Sequence, residues 1–185
     1  MARIVVAGSG AIGASVAYHL ALLGAREVTL ADRGAVASGA TAKAMGGVRQ
    51  QFSTAAEVRL AQASIRFFEE LGAPLFEQVG YLFLATTEQG LAELDERRAL
   101  QAELGVPVER VEPSTLPGIR TDDVLGAVRC ATDGVADPPA VTRELVRRAL
   151  KLGVALREKT PAEAIDADVL VIACGPWSAE VAATR

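Results

Sequence analysis

The chain has 185 residues, 50% hydrophobic and 23% charged, enough to bury one substantial core and to build about one domain or one and a half. A formal charge of −4, basic residues scattered with no run longer than two and only 4% aromatics exclude the basic stripe and stacking platform of a nucleic-acid binder. No apolar run approaches the roughly 20 residues that span a bilayer, and a strand starting at Arg3 leaves no room for a secretory leader, so no membrane span and a cytoplasmic location are expected.

Arg3 to Ala7 (RIVVA) is a continuous apolar run, the pattern of a strand buried on both faces of a parallel sheet. A helix is predicted over Ala11 to Leu23, its apolar face made by Ile12, Val16, Leu20 and Leu23, and Gly24 stops it. Glu27 to Ala31 is a second β-rich run, so the chain opens with one right-handed βαβ unit. Asp32 to Gly47 is too rich in glycine for regular structure and reads as a long loop.

A helix from Thr54 to Leu71 turns Val58, Ala61, Ile65 and Phe68 inward and ends at Gly72 and Pro74. Gly80 to Ala85 is a strand, followed by a Thr86 cap with Gln89 three residues on and a helix to about Leu104. Gly105 to Asp137 alternates short strands with turns, among them Gly126 to Cys130 before the Asp133-Gly134 turn. Asp137 and Pro138 start a helix whose inner face is Val141, Leu145, Ala149 and Leu152. Asp168 to Cys174 is a further buried strand that delivers the chain to Gly175-Pro176-Trp177-Ser178. The fold expected is α/β, a Rossmann-like domain carrying a small inserted unit.

Gly8, Gly10 and Gly13 stand between the first strand and the first helix, the context that the dinucleotide fingerprint demands. The first glycine allows a tight turn, the second lets backbone approach a pyrophosphate, and the third lets helix and strand pack closely. The pyrophosphate would rest on the helix-start amides of Ala11 and Ile12, where unpaired N–H groups and the positive dipole end favour an anion. Asp32 ends the second strand, where a carboxylate accepts hydrogen bonds from ribose hydroxyls. This unit alone leaves NAD and FAD both open.

The residues beyond it carry a resemblance. Asp32-Arg33-Gly34, Ser38-Gly39-Ala40-Thr41, Met45-Gly46-Gly47-Val48-Arg49-Gln50-Gln51-Phe52, Asp133-Gly134-Val135-Ala136-Asp137-Pro138 and Ala173-Cys174-Gly175-Pro176-Trp177-Ser178 follow one another as they do in the D-amino-acid oxidase superfamily of flavoproteins. The chain is most similar to the branch of sarcosine oxidase β subunits, glycine oxidases, dimethylglycine dehydrogenases and archaeal-type proline dehydrogenase subunits. The resemblance implies FAD as cofactor, with Asp32 on the adenosine ribose, Ala40 and Thr41 beside the pyrophosphate, and Gly46 and Gly47 bringing backbone to the flavin ring; Arg33 and Val48 are expected among the cofactor-binding residues. Gly175 joins that set, after Gly8, Gly10, Ala11, Ile12 and Gly13. It also implies a discontinuous FAD-binding domain over residues 1–75 and 138–185, and a partial α+β substrate or cap domain over 76–137.

Two departures from the family's pattern are visible. Between Gly153 and Asp168 the family places additional strands, whereas here Val154 to Arg157 runs through Thr160-Pro161 almost directly into Asp168. Family members also continue past the Gly-Pro-Trp-Ser turn, so the chain is expected to cover only the front part of such an enzyme.

The implied reaction is hydride loss from the carbon beside a neutral amine, in a small amine or amino acid such as sarcosine, glycine or proline, giving an imine that water hydrolyses. Arg49 would bind a carboxylate or stabilise negative charge at the ring; the alternative is an arginine paired with a surface acid such as Glu57. Gln50 and Gln51 either line the pocket or are ordinary polar loop residues. Tyr81 is expected in the core and Trp177 as a packing plug, with Cys130 and Cys174 as small apolar fillers and His19 as an ordinary helix histidine. No metal site is expected. A partner subunit or a homo-oligomer fits the several hetero-oligomeric relatives. Two other classes stay open, an NAD-dependent enzyme and a non-catalytic or partner-dependent FAD/ADP-binding fragment.

Overall fold

The computed structural model describes residues 2–183. In chain order the elements begin with β1 (Ile4–Ala7), α1 (Ala11–Leu22), β2 (Val28–Ala31), β3 (Gly47–Val48), α2 (Ala55–Leu71), β4 (Phe76–Glu77), β5 (Tyr81–Ala85) and α3 (Glu88–Glu103). They continue with β6 (Val108–Val111), β7 (Gly126–Cys130), β8 (Gly134–Ala136), α4 (Pro138–Lys151), β9 (Ala155–Arg157), β10 (Val169–Ile172) and α5 (Ser178–Ala182). Two compact units result, one built from the chain up to Met45 and from Asp137 onward, the other from Gly46 to Ala136.

The first unit is a parallel sheet in the order β10-β1-β2-β9. β1 sits between β10 and β2, with Val6 opposite both Val171 and Leu30. The chain therefore lays down β1, β2 and β9 in one direction and returns to the other side of β1 with β10, which makes the gap between β1 and β10 a topological switch point. β1 reads as unbroken apolar sequence because both of its faces are covered. Val5 and Ala7 join Ala31 and Ala162 on one face, with Ile165, Ala167 and Leu170 packed on them. Val6 points the other way, as alternation requires, toward the side on which α1 packs against β1 and β2.

α1 and α4 pack on each other, but not through the stripe that periodicity marks on α1. Its buried residues are Gly13, Ala14 and Ala17, whereas Ile12 is 70% exposed and Leu23 85% exposed. Close approach explains the difference: a helix pressed against backbone presents its smallest residues there, and bulk is displaced to the flanks. On α4 the expected face holds at Val141, Leu145 and Ala149, while Leu152 is exposed. Asp137 caps that helix by accepting from the Ala140 amide at 2.9 Å. The stretch after Gly153 forms β9, which pairs in parallel with β2, and only a short 3-10 turn at Ala162–Ala164 separates it from β10.

The second unit holds two antiparallel three-stranded sheets, β3-β8-β4 and β5-β7-β6. Residues 46–75, which the sequence reading groups with the first domain, fall here: β3 pairs with β8, and α2 packs on α3 and β4. Two-residue strands such as β3 and β4 carry too little pattern to mark that allegiance. α3 is capped by Thr87, accepting from the Gly90 amide, rather than by Thr86. Thr87 is the residue whose extended backbone places its hydroxyl over the first turn. Among the described residues no helix is long and apolar enough to cross a membrane.

Candidate nucleotide-binding groove

Two glycines decide how the first unit turns from β1 into α1. Gly8 has φ +105°, a left-handed conformation, and a Cβ there would lie 2.4 Å from the Ala173 carbonyl oxygen. A Cβ on Gly13 would lie 1.7 Å from the Gly8 carbonyl oxygen. Neither position admits a side chain, and their absence lets the helix start immediately above the carboxyl end of β1. Gly10 is the N-cap residue of α1 and supplies no side-chain cap, so the first-turn amides face outward without intrahelical partners.

One of those amides is engaged. Ala11 N–H donates to Thr41 Oγ1 at 3.0 Å, which brings the 3-10 turn at Ala40–Lys43 across the start of α1. The amide pair that the sequence assigns to a pyrophosphate is therefore divided, Ala11 toward the Thr41 hydroxyl and Ile12 toward the groove. Asp32, at the end of β2, is the organiser of the loop. Its Oδ2 accepts from Ser9 N at 2.6 Å and Ser9 Oγ at 2.9 Å, and its Oδ1 accepts from Gly34 N at 2.7 Å. The carboxylate thus ties the glycine loop to the turn after β2 while staying half-exposed.

Around these groups lies a groove of about 810 Å³, within the range of small-molecule sites. Gly8, Gly10, Ala11, Ile12, Asp32, Arg33, Ala40, Thr41 and Gly175 all line it. Gly13 does not; it is buried behind the loop as the packing glycine. Gly46, Gly47 and Val48 belong to the other unit, where Gly47 and Val48 pair with Val135 and Gly134. Sequence reasoning missed Glu163 on the far wall, for which the sequence offers no signal, and misread Trp177. A packing plug would be buried; Trp177 is 41% exposed, lines the groove and lies 5.4 Å from the Arg33 guanidinium. Burial pushes the Cys174 thiol above its ordinary value, with Asp32 adding to the shift, and its Sγ bonds the Ala7 carbonyl at 3.3 Å.

The second unit has its own polar cluster. Asp133 is fully buried and accepts from Gln50 N at 2.9 Å, Gln50 Nε2 at 3.1 Å and Gln51 Nε2 at 3.1 Å. Gln50 and Gln51 are thereby structural tethers. Burial also pushes the Cys130 thiol up beside them. Arg49, one residue earlier, has its guanidinium carbon 5.1, 5.6 and 5.4 Å from the rings of Phe52, Tyr81 and Phe83. Among the described residues it has no ion-pair partner, and its Nε lacks a hydrogen bond. Glu57, the acid offered as its alternative mate, instead accepts from the Thr54 hydroxyl at 2.8 Å. Tyr81 is half-buried against Phe83, the ring centroids 5.4 Å apart.

This geometry agrees with comparisons to known proteins. Residues 3–185 match the family described as FAD dependent oxidoreductase. The chain is 28% identical over 168 residues to the pyruvate dehydrogenase phosphatase regulatory subunit of Mus musculus, covering 86% of this chain and 19% of the relative. It is 28% identical over 208 residues to the 4-methylaminobutanoate oxidase (formaldehyde-forming) of Paenarthrobacter nicotinovorans, covering 98% of this chain and 25% of the relative. The solved L-proline dehydrogenase from P. horikoshii superposes with a TM-score of 0.90 at 27% identity, over 98% of this chain and 55% of that one. The chain thus spans a quarter or less of those two curated relatives and about half of the solved one. With the glycine loop, the Asp32 clasp and a match along nearly its whole length, the chain belongs to the family of FAD-dependent oxidoreductases.

Proposed function

We propose that this chain binds the ADP half of FAD in the groove of its first unit and serves an oxidoreductase that oxidises the C–N bond of a small amine or amino acid, sarcosine-, glycine- or proline-like. The observation that carries the reading is the Asp32 clasp, a half-exposed carboxylate held by Ser9 and Gly34 beside an outward-facing helix start. The residues suit the group. Gly10 leaves the loop without a side chain at the groove, the Ile12 amide and the positive end of α1 face an anion, and Asp32 keeps lone pairs for ribose hydroxyls.

FAD, when bound, supplies the hydride acceptor. The protein's own share is binding and electrostatics. Asp32 would hold the ribose, Thr41 holds the 3-10 turn against α1, and Ala40 and Gly175 would border the path of the pyrophosphate. Gly46, Gly47 and Val48 would present backbone to the ring, as the family resemblance implies. Arg49 would contribute a cation that pairs with no acid among the described residues; three aromatic rings surround it, and its N–H groups would meet a substrate carboxylate or negative charge at the ring. Substrate oxidation leaves an imine, which water hydrolyses.

The test is direct. Purified protein titrated with FAD should bind it and show bound-flavin absorbance, and with an artificial electron acceptor it should oxidise a panel of N-methyl and cyclic amino acids. Binding of NAD with no binding of FAD would sink the reading. A second reading has one observation in its favour, the likeness to a regulatory subunit: the chain binds FAD or ADP and acts only with a partner. FAD binding without amine oxidation selects that alternative.

A further inference from the structure

Resting on the groove as an ADP-binding site, the geometry points to Trp177 as the platform that holds Arg33 ready for a phosphate of the ligand. Both side chains line the groove, and the Arg33 guanidinium carbon lies 5.4 Å from the centre of the indole. The indole stands beside the segment that reaches α1, since a Cβ on Gly39 would come within 3.8 Å of it. Among the described residues the ion-pair partner of Arg33 is Glu180, at 3.9 Å, with both side chains well exposed. That separation is too long for a hydrogen bond.

Electrostatics then singles Arg33 out. A pyrophosphate entering this groove meets Asp32 and Glu163, and among the groove-lining residues Arg33 is the only Lys or Arg. An arginine committed to a carboxylate spends its fork of donors there. One held face-on by an aromatic ring is restrained through its π surface, and its N–H groups, lying in the plane, remain free to meet phosphate oxygens. Arg33 is thus the residue that touches the ligand, and Trp177 is a positioning residue that sets where the guanidinium sits.

Calorimetric titration with ADP across a salt series, on the unaltered chain and on Arg33→Met, Trp177→Ala and Trp177→Phe, tests the assignment. Arg33→Met should weaken ADP binding about tenfold or more at low salt and flatten its salt dependence. Trp177→Ala should cost less, about two- to fivefold, with the same flattening, and Trp177→Phe should recover most of both. Trp177 is the chain's single tryptophan, so its fluorescence should respond to ADP in the unaltered chain and respond far less in Arg33→Met. A Trp177→Ala variant that binds ADP unchanged, or weakly with its salt dependence intact, overturns the platform role, the latter outcome placing the indole on the ligand itself. No ADP binding by the unaltered chain overturns the groove reading instead, which is a separate result.

Discussion

Among the described residues Asp32 and Asp133 each accept three nitrogen or hydroxyl hydrogen bonds and pair with no cation, yet they do opposite work. Asp32 takes Ser9 N, Ser9 Oγ and Gly34 N, all from loops at the end of the parallel sheet. Asp133 takes Gln50 N and the two glutamine side-chain amides, in a site with no solvent exposure. A carboxylate clasped at the rim of a groove organises a surface and keeps lone pairs for a visitor. One clasped in the core spends its acceptor capacity on the fold. The difference teaches that neither residue type nor number of donors marks a ligand site; the exposure left over after the donors are counted does.

The largest effect should come from Gly13→Ala, since its Cβ meets the Gly8 carbonyl oxygen at 1.7 Å. Overpacking against backbone should cost about 3 kcal/mol or more and abolish ADP binding, read by urea unfolding and calorimetry. Asp133→Ala removes the acceptor of one buried backbone amide and one of the acceptors of each glutamine side chain, which keep Thr132 Oγ1 and the Tyr81 carbonyl; it should cost about 3 kcal/mol in urea unfolding, with ADP affinity of the folded protein intact. Asp32→Ala leaves the N–H and hydroxyl of the buried Ser9 without that acceptor and should cost about 1 to 3 kcal/mol of stability, but, unlike Asp133→Ala, it should also weaken ADP binding about tenfold or more. If Asp133→Ala weakens ADP binding as much as Asp32→Ala does, the division of labour between the two acids fails.

A third carboxylate sets the lower end. Glu144 bonds Arg147 and Arg148 along the surface of α4, and these arginines hold its pKa down to about 2. A folded-state pKa below the unfolded one stabilises the protein above the unfolded value, near 4.5, and that contribution disappears as pH falls toward 2. Glu144→Gln should therefore cost less than about 1 kcal/mol at neutral pH. The gap between variant and unaltered chain should close on acidification through that window, as followed by thermal melting at several pH values.

How much of this was legible in sequence differs between the two units. β1, β7, α2 and α4 are legible through apolar runs, period and caps, and the glycine loop with Asp32 marks the groove. β3, β4, β6 and β9 are not, because two to four residues carry no period, and the partners of β3, β4 and β9 lie far along the chain. The buried face of α1 was misread because periodicity ranks residues by hydrophobicity, whereas contact with backbone selects for small size at Gly13, Ala14 and Ala17. Glu163 and Trp177 reach the groove from segments that only the return of the chain to β1 brings there. The aromatic surroundings of Arg49 depend on β5 crossing beside it, which no local pattern predicts.

That return has a consequence for biosynthesis. β1 leaves the ribosome before its neighbour β10 and the Asp168 carboxylate that bonds Arg3, which follow it 165 residues later. Closing so long a loop is slow. Residues 46–136, contiguous in the chain, have all their strand partners to hand well before then. A nascent chain should therefore acquire its antiparallel unit first and gain a competent groove only once β10 arrives. In the interval the apolar surface of β1 and β2 is what a chaperone would meet.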